Sequence, residues 1–340
     1  MNTENTTDSP RDELVFGKNA VLSFLEQGEQ NVDTGDFSVL HEALMNDSLT
    51  RGSLTVDDIE QMESRLREAV KKLKASRPDG TLQLPSRPVF DNTPAVRVNK
   101  ILLALGLERD SRVRQIKNLA RNQQIPVQVC DRKKLDQIAG PARRHQGVVA
   151  MVSAAEMWQL DTFLQKLVLD KILRELNGQN MDGYTLALLD GVEDPHNLGA
   201  IIRVAESAGV KAIFIPQRRA AGLTGTVAKT SAGALANLPV VRVGNLVQCL
   251  ETLKKYGFWV AALDLEARDF YTKVNLVRPL VVVIGSEGSG VSRLVKEHCD
   301  FLVKIPMLGK TESLNASVAA GIMFYEVVRQ QLDAQEKAGL

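Results

Sequence analysis

The stretch PLVVVIGSEGSGVSRL, residues 279–294, sets the architecture of this chain. An unbroken Leu-Val-Val-Val-Ile run with no polar alternation fits a strand buried on both faces, and the glycines at 285, 288 and 290 that follow force a turn rather than a continuation. Outward from it, the same kind of strand recurs as TLALLD (185–190), KAIFIP (211–216), LPVVRV (238–243), FWVAALD (258–264) and FLVKIP (301–306), with helical segments between most of them. Such alternation implies an α/β unit with a mostly parallel sheet covered on both sides. In that architecture ligands bind beyond the carboxyl ends of strands, so chemistry is expected in the loops after Asp190, Ile284 and Ile305.

The first of these loops, DGVEDPHNLGAIIRVAESAG (190–209), places Pro195 and Asn197 where a helix begins, with Asn197 as the expected N-cap and Arg203 further along the helix. A capped helix carrying one exposed arginine is the structural alternative. In the second loop, Glu287 sits among glycines that let backbone come close to a ligand; a purely structural glycine turn has the same signature. Its Gly-x-x-Gly-x-Gly spacing is not the dinucleotide fingerprint, which disfavours a nicotinamide enzyme. In the third, Ser313, Asn315 and Ser317 crowd the start of a helix rich in small residues (Ala316, Ala319, Ala320, Gly321), which suits close packing against a ligand or another helix.

Upstream the pattern changes. FGKNAVLSFLEQG (16–28) reads as a short helix, and residues 29–96 as an acidic, then Pro-rich linker around one exposed amphipathic helix, Val56 to Leu73. From Val98 to Met151 a βαβ-like rhythm appears: VNKILLALGL, a helix SRVRQIKNLARNQQ, a strand IPVQVC, a helix KKLDQIAG and a strand GVVAMVS. Residues 152–183 read as a helical connector, residues 1–15 as a disordered tail and residues 333–340 as a second tail.

The chain has 340 residues, which suits two folded units. Net charge is +1, but residues 97–147 hold 12 Lys+Arg against 4 Asp+Glu, whereas residues 1–96 hold 10 against 17. Arg112, Arg114, Lys117 and Arg121 share one broad helical face, and Arg143 and Arg144 add to the same segment. A solvated face is one reading; the local excess shifts the reading toward contact with phosphates. No apolar run approaches the roughly 20 residues of a membrane span. The N-terminus lacks a secretory apolar core, and the three cysteines (130, 249, 299) form no pair or zinc-like spacing. A cytoplasmic protein without metal or membrane is expected.

Taken together, NLGAIIR (197–203), VIGSEGSGV (283–291) and IPMLGKTESLNASVAAG (305–321) resemble, in order, the three motifs of the SpoU, or TrmH, family of RNA ribose methyltransferases. TVAKTSAGALANLPVVRVGNL (226–246) is also similar to the family, and FGKNAVLSFLEQG with residues 98–151 resembles the L30e-like substrate domain of many members. The resemblance covers roughly 250 residues; HQGVVA (145–150) and SLNASVA (313–319) bring it nearest to the members that methylate a guanosine of large-subunit ribosomal RNA. One departure is the roughly 65 residues between the GKNAV helix and the VNKIL segment, which the family pattern reads as a helix close behind it.

The resemblance implies a trefoil-knotted parallel-sheet domain over 184–332 behind an L30e-like domain over 16–151. It implies S-adenosylmethionine held by Gly285, Ile305 and Leu314, with Leu263 a weaker addition. It makes Arg203 the residue acting on the ribose 2′-hydroxyl, positioned with Asn197, Glu287, Ser313 and Asn315, and it implies a homodimer whose interface includes the helix near Asn315. Because arginine stays protonated, gripping a phosphate or stabilising alkoxide charge suits Arg203 better than general-base work. A transfer-RNA methyltransferase and a non-catalytic RNA-binding protein are the alternatives.

Overall fold

The computed structural model describes residues 13–27, 56–76, 98–140, 145–152 and 157–338. The first part of the chain runs β1 (Glu13–Phe16), α1 (Lys18–Gln27), α2 (Val56–Ala75), β2 (Val98–Ala104), α3 (Ser111–Asn122), β3 (Val127–Cys130), α4 (Arg132–Ala139) and β4 (Val148–Val152). The strands form a sheet in the order β1-β4-β2-β3, with β4 antiparallel to both neighbours and β2 parallel to β3. Two expectations are corrected here. The N-terminal tail is not wholly unstructured, because Glu13–Phe16 pairs residue by residue with Val149–Val152. VNKIL is strand rather than helix: in VNKILLA the run Ile101–Ala104 is buried between two strands.

The second part runs β5 (Trp158–Gln159), α5 (Leu160–Leu176), β6 (Thr185–Asp190), α6 (Pro195–Ser207), β7 (Ile213–Pro216), α7 (Gly225–Thr230) and β8 (Val240–Val243). It continues with α8 (Leu246–Lys255), β9 (Trp259–Leu263), β10 (Asp269–Phe270), β11 (Leu280–Gly285), α9 (Arg293–Glu297), β12 (Phe301–Lys304) and α10 (Ala316–Ala338). Eight strands lie parallel in the order β10-β12-β9-β11-β6-β7-β8-β5.

The Val/Ile/Leu runs have a direct cause. Successive strand residues point to opposite faces, and here both faces are dry. Ala187, Leu189, Val282 and Ile284 face a core shared with Leu198, Ile202, Met323 and Phe324 of α6 and α10. Their neighbours Leu186, Leu188, Val281 and Val283 face another, shared with Phe163, Leu167, Leu250 and Leu253 of α5 and α8. A polar residue at either parity would be buried without a partner, so the alternation typical of half-exposed strands is absent.

Three further expectations are corrected. The 152–183 connector is part of the core, since α5 buries Phe163, Leu164, Leu167 and Ile172, and β5 extends the sheet. The helix between 29 and 96 is not simply exposed: Met62, Leu66 and Val70 are buried against Val168, Leu169, Ile172 and Leu173 of α5. Ion pairs Lys171–Glu63 at 2.9 Å and Arg67–Glu175 at 2.7 Å flank that contact. The C-terminal tail is helical as far as Ala338, and i,i+3 and i,i+4 pairs of Arg329 with Glu326 and Asp333 support the turn of α10 that leads into it.

Candidate active site

Adjacent strands β6 and β11 end together, and their loops are tied by Asp190 Oδ2, which accepts the Ser292 N–H at 2.8 Å. After β6, the side chain of Asp194 accepts the His196 N–H and Pro195 takes the first helical position, so Asp194 rather than the expected Asn197 is the N-cap of α6. Asn197 is thereby released from capping. It lies within the first turn, almost buried at 9% exposure, and turns its amide toward the loop after β11.

That loop folds back on itself, with Ser286 and Gly290 exchanging backbone hydrogen bonds of 3.2 and 3.1 Å. Gly288 and Gly290 take positive φ, and a Cβ on Gly285 would stand 2.1 Å from the Gly290 carbonyl carbon. The first glycine is therefore required by the loop's approach to its own strand. Glu287 rides on the tip.

The third loop brings Asn315 to the start of α10, where its Oδ1 accepts the Ser317 N–H at 3.0 Å as a helix cap. Its amide nitrogen donates to Asn197 Oδ1 at 2.9 Å and to Glu287 Oε1. Glu287 Oε1 also accepts from Asn197 Nδ2 at 3.1 Å and from the Ala316 N–H at 3.2 Å. A carboxylate thus sits at a helix N-terminus, where aligned backbone dipoles favour negative charge, and three residues more than a hundred positions apart at the extremes close into one network. Among the described residues, Glu287 Oε2 has no partner.

Two cavities meet at this network. One, of about 300 Å³, is lined by Leu263, Gly285, Ile305, Leu314 and Ser313, with Asp264, Lys296 and Met307 among its other walls. The second, of about 320 Å³, is lined by Gly191, Val192, Glu193, Asp194 and Asn197. Ser286, Glu287 and Ala316 form a wall of both. The sequence reading missed Asp264 and Lys296, which form a 2.8 Å ion pair at the first cavity; the only signal was an aspartate ending the strand FWVAALD.

Arg203 is not in this constellation. It is exposed on α6, lines neither cavity and has no side-chain partner among the described residues. Its neighbour Val204 packs on α10 at Gly321, where a Cβ would lie 3.5 Å from Val204 Cγ2. On α10, Val318, Tyr325 and Leu332 stand at seven-residue spacing, each at least half exposed, while Ala320, Met323, Phe324 and Val327 are buried.

The basic residues lie on the small sheet's α3. Asp110 caps it and is ion-paired with Lys18 of α1 at 2.5 Å, which holds the Asp110 carboxyl below its ordinary range. Val113, Ile116 and Ala120 face inward, leaving Arg112, Arg114 and Arg121 exposed and Lys117 half-buried. None of the four has an acidic partner among the described residues. Arg143 and Arg144 lie outside the described residues. Among the described residues no group of His, Cys, Asp or Glu is placed to hold a metal, and no helix is long and apolar enough to cross a membrane.

Comparison with known proteins gives this arrangement a family. Residues 185–325 match the SpoU rRNA Methylase family, and residues 89–158 match the RNA 2′-O ribose methyltransferase substrate binding family. The chain is 50% identical over 217 residues to the TrmH family tRNA/rRNA methyltransferase YacO of Bacillus subtilis, covering 64% of this chain and 82% of that one. A TrmH family tRNA/rRNA methyltransferase of Staphylococcus aureus is 44% identical over 239 residues, covering 70% and 91%. Among solved structures, the SpoU methyltransferase AviRb of Streptomyces viridochromogenes in complex with AdoMet aligns with a TM-score of 0.56 at 22% identity, over 78% of this chain and 99% of that one. An AdoMet-bound rRNA methyltransferase from Sinorhizobium meliloti aligns at 0.55 and 21%, over 82% and 97%. The chain belongs to the SpoU, or TrmH, family of RNA methyltransferases, and its large domain has that class's trefoil-knotted parallel-sheet fold.

Proposed function

We propose that this protein transfers a methyl group from S-adenosylmethionine to a ribose 2′-hydroxyl of RNA, and that its target is a guanosine of large-subunit ribosomal RNA. The observation that carries the reading is the wall shared by the two cavities. An in-line transfer needs two ligands meeting at one point; Glu287 stands in the shared wall, hydrogen-bonded to Asn197, which lines the second cavity, and to Asn315 at the start of α10. The AdoMet-bound relatives support assigning the first cavity to the cofactor.

The residues fit that cofactor. Leu263, Ile305 and Leu314 supply an apolar seat for a flat adenine, and the fold-back over Gly285 leaves backbone exposed to it. When bound, S-adenosylmethionine supplies the activated methyl group. The chain's own residues do the rest. Glu287 lines both cavities, and its Oε2 would accept the hydrogen of the ribose hydroxyl while Asn197 and Asn315 hold its other oxygen in place. Ser313 lines the first cavity.

Arg203 fits this scheme in a homodimer. Pairing two chains along Val318, Tyr325 and Leu332 would cover an otherwise exposed apolar stripe and bring α6 of one chain beside the other. The partner's Arg203 would then grip the phosphate next to the reacting ribose or stabilise developing negative charge. The small domain would supply a phosphate-contacting face through α3, with Arg143 and Arg144 as further candidates. We infer a cytoplasmic location from the proposed ribosomal RNA substrate.

The test is methyl transfer with labelled cofactor into naked large-subunit ribosomal RNA, ribosomal particles and transfer RNA, followed by mapping of 2′-O-methyl positions. A single guanosine labelled in ribosomal RNA is the expected result. Label confined to transfer RNA would move the substrate, and RNA binding without transfer would establish a binding protein instead.

A further inference from the structure

Resting on the reading of the first cavity as the cofactor site, we propose that Asp264, held in place by Lys296, grips the ribose hydroxyls of the cofactor's adenosine half.

Asp264 follows the last residue of β9, and β9 lies between β12 and β11 in the sheet. Its backbone N–H donates to Val303 O at 2.9 Å, which keeps it in step with the strand ends on which Gly285 and Ile305 are carried. Asp264 is therefore level with the strand ends that carry the other walls of the cavity. Its side chain is 11% exposed, making it the more hidden member of its ion pair, and it lines the cavity.

Both oxygens are held by the protein. Oδ1 accepts the Glu266 N–H at 3.2 Å, and Oδ2 meets Lys296 Nζ of α9 at 2.8 Å. A carboxylate has about four lone-pair sites, so about two remain for a ligand. Lys296 also neutralises charge that would otherwise be costly at this depth.

Geometry selects the ligand group. The reacting hydroxyl must lie at Glu287 and Asn197, over β6 and β11, so the sulfonium end of the cofactor lies there too. β9 is the next strand on the other side of β11, about 4.8 Å farther. The part of the cofactor one step from its sulfur is the ribose, whose adjacent hydroxyls offer two donors to a carboxylate with two free sites. Elsewhere in α/β folds, a strand-end carboxylate beside a glycine loop holds a cofactor ribose by the same logic.

The test measures calorimetric binding of S-adenosylhomocysteine, its 2′-deoxy and 3′-deoxy analogues, and S-inosylhomocysteine, which lacks the adenine amine. On the unmodified protein, at least one deoxy analogue is expected to bind about ten- to a hundred-fold more weakly than the parent. Asp264→Ala should remove that discrimination, with the parent falling to the level of the analogue. Lys296→Met should reduce the discrimination without abolishing it. Equal binding of parent and both deoxy analogues by the unmodified protein overturns the proposal, and that measurement needs no variant to fold. An equal loss for every ligand in Asp264→Ala also overturns it, because a mere brace for α9 acts so. If Asp264→Ala instead removes discrimination against S-inosylhomocysteine alone, the carboxylate reads adenine and the ribose assignment fails. No binding of any of these ligands by the unmodified protein refutes the cofactor site itself.

Discussion

At the carboxyl ends of β6 and β11, Glu287, Asn197 and Asn315 each satisfy the others, and the loop that carries the carboxylate is folded against its own strand. On α3 of the small sheet, Arg112, Arg114 and Arg121 stand in solvent with no acidic partner among the described residues. The first site is held by specific hydrogen bonds and depends on backbone; the second is a field of charge that depends on number. One should fail abruptly when altered and the other by degrees.

The largest effect is expected at Gly285→Ala. A single methyl would meet the Gly290 backbone at 2.1 Å, so the loop must open and S-adenosylmethionine binding should be lost beyond detection by calorimetry, while RNA affinity through the small domain persists. Retained cofactor binding would show that the fold-back is dispensable. Next, Arg203→Ala should lower kcat by about a hundred- to a thousand-fold with the cofactor Kd unchanged, as for a group acting chiefly in the transition state. Parallel loss of cofactor affinity would place Arg203 in the first cavity after all.

A smaller and different kind of loss is expected at Leu66→Ala on α2. Its buried side chain fills the contact with α5, and urea unfolding should show about 2–5 kcal/mol less stability with catalytic constants unchanged at 25 °C. Altered kcat in that variant would mean that α2 reaches the site. Least dramatic is α3, where replacing a lysine or arginine that meets a phosphate should flatten the logarithmic salt dependence of RNA binding by roughly 0.7–0.9 for each such residue. An unchanged slope would mark the face as merely solvated.

The same contrast governs what could be read from sequence. Six of the eight strands of the large sheet were legible because burial on both faces disfavours polar interruptions. Asn197, Glu287 and Asn315 were legible as members of ordered motifs, although Asn197 reads as a cap until Asp194, three positions earlier, is seen to do that work. The strand Glu13–Phe16 is four residues in an acidic stretch and owes its form to β4, far along the chain. α2 looked exposed because its charged residues outnumber the three side chains that anchor it, and nothing local announces α5 as their partner. Arg203 was legible as a motif residue, yet its distance from the cavities follows from helix phase: six positions after Asn197 it points away from Glu287. Asp264 and Lys296 lie in separate strand and helix contexts, and only the sheet order brings them together.

The docking of α2 on α5 also changes how the molecule can be taken apart. In chain order α2 falls between α1 and β2 of the small domain, yet it is packed against α5 of the large one. A protease that cleaves only between β4 and β5 would therefore leave an N-terminal fragment still clasped to the rest through Met62, Leu66 and Val70. Excising the catalytic half as a gene fragment beginning near residue 157 would instead strip α5 of its cover, baring Val168, Leu169 and Ile172 to water and to other molecules.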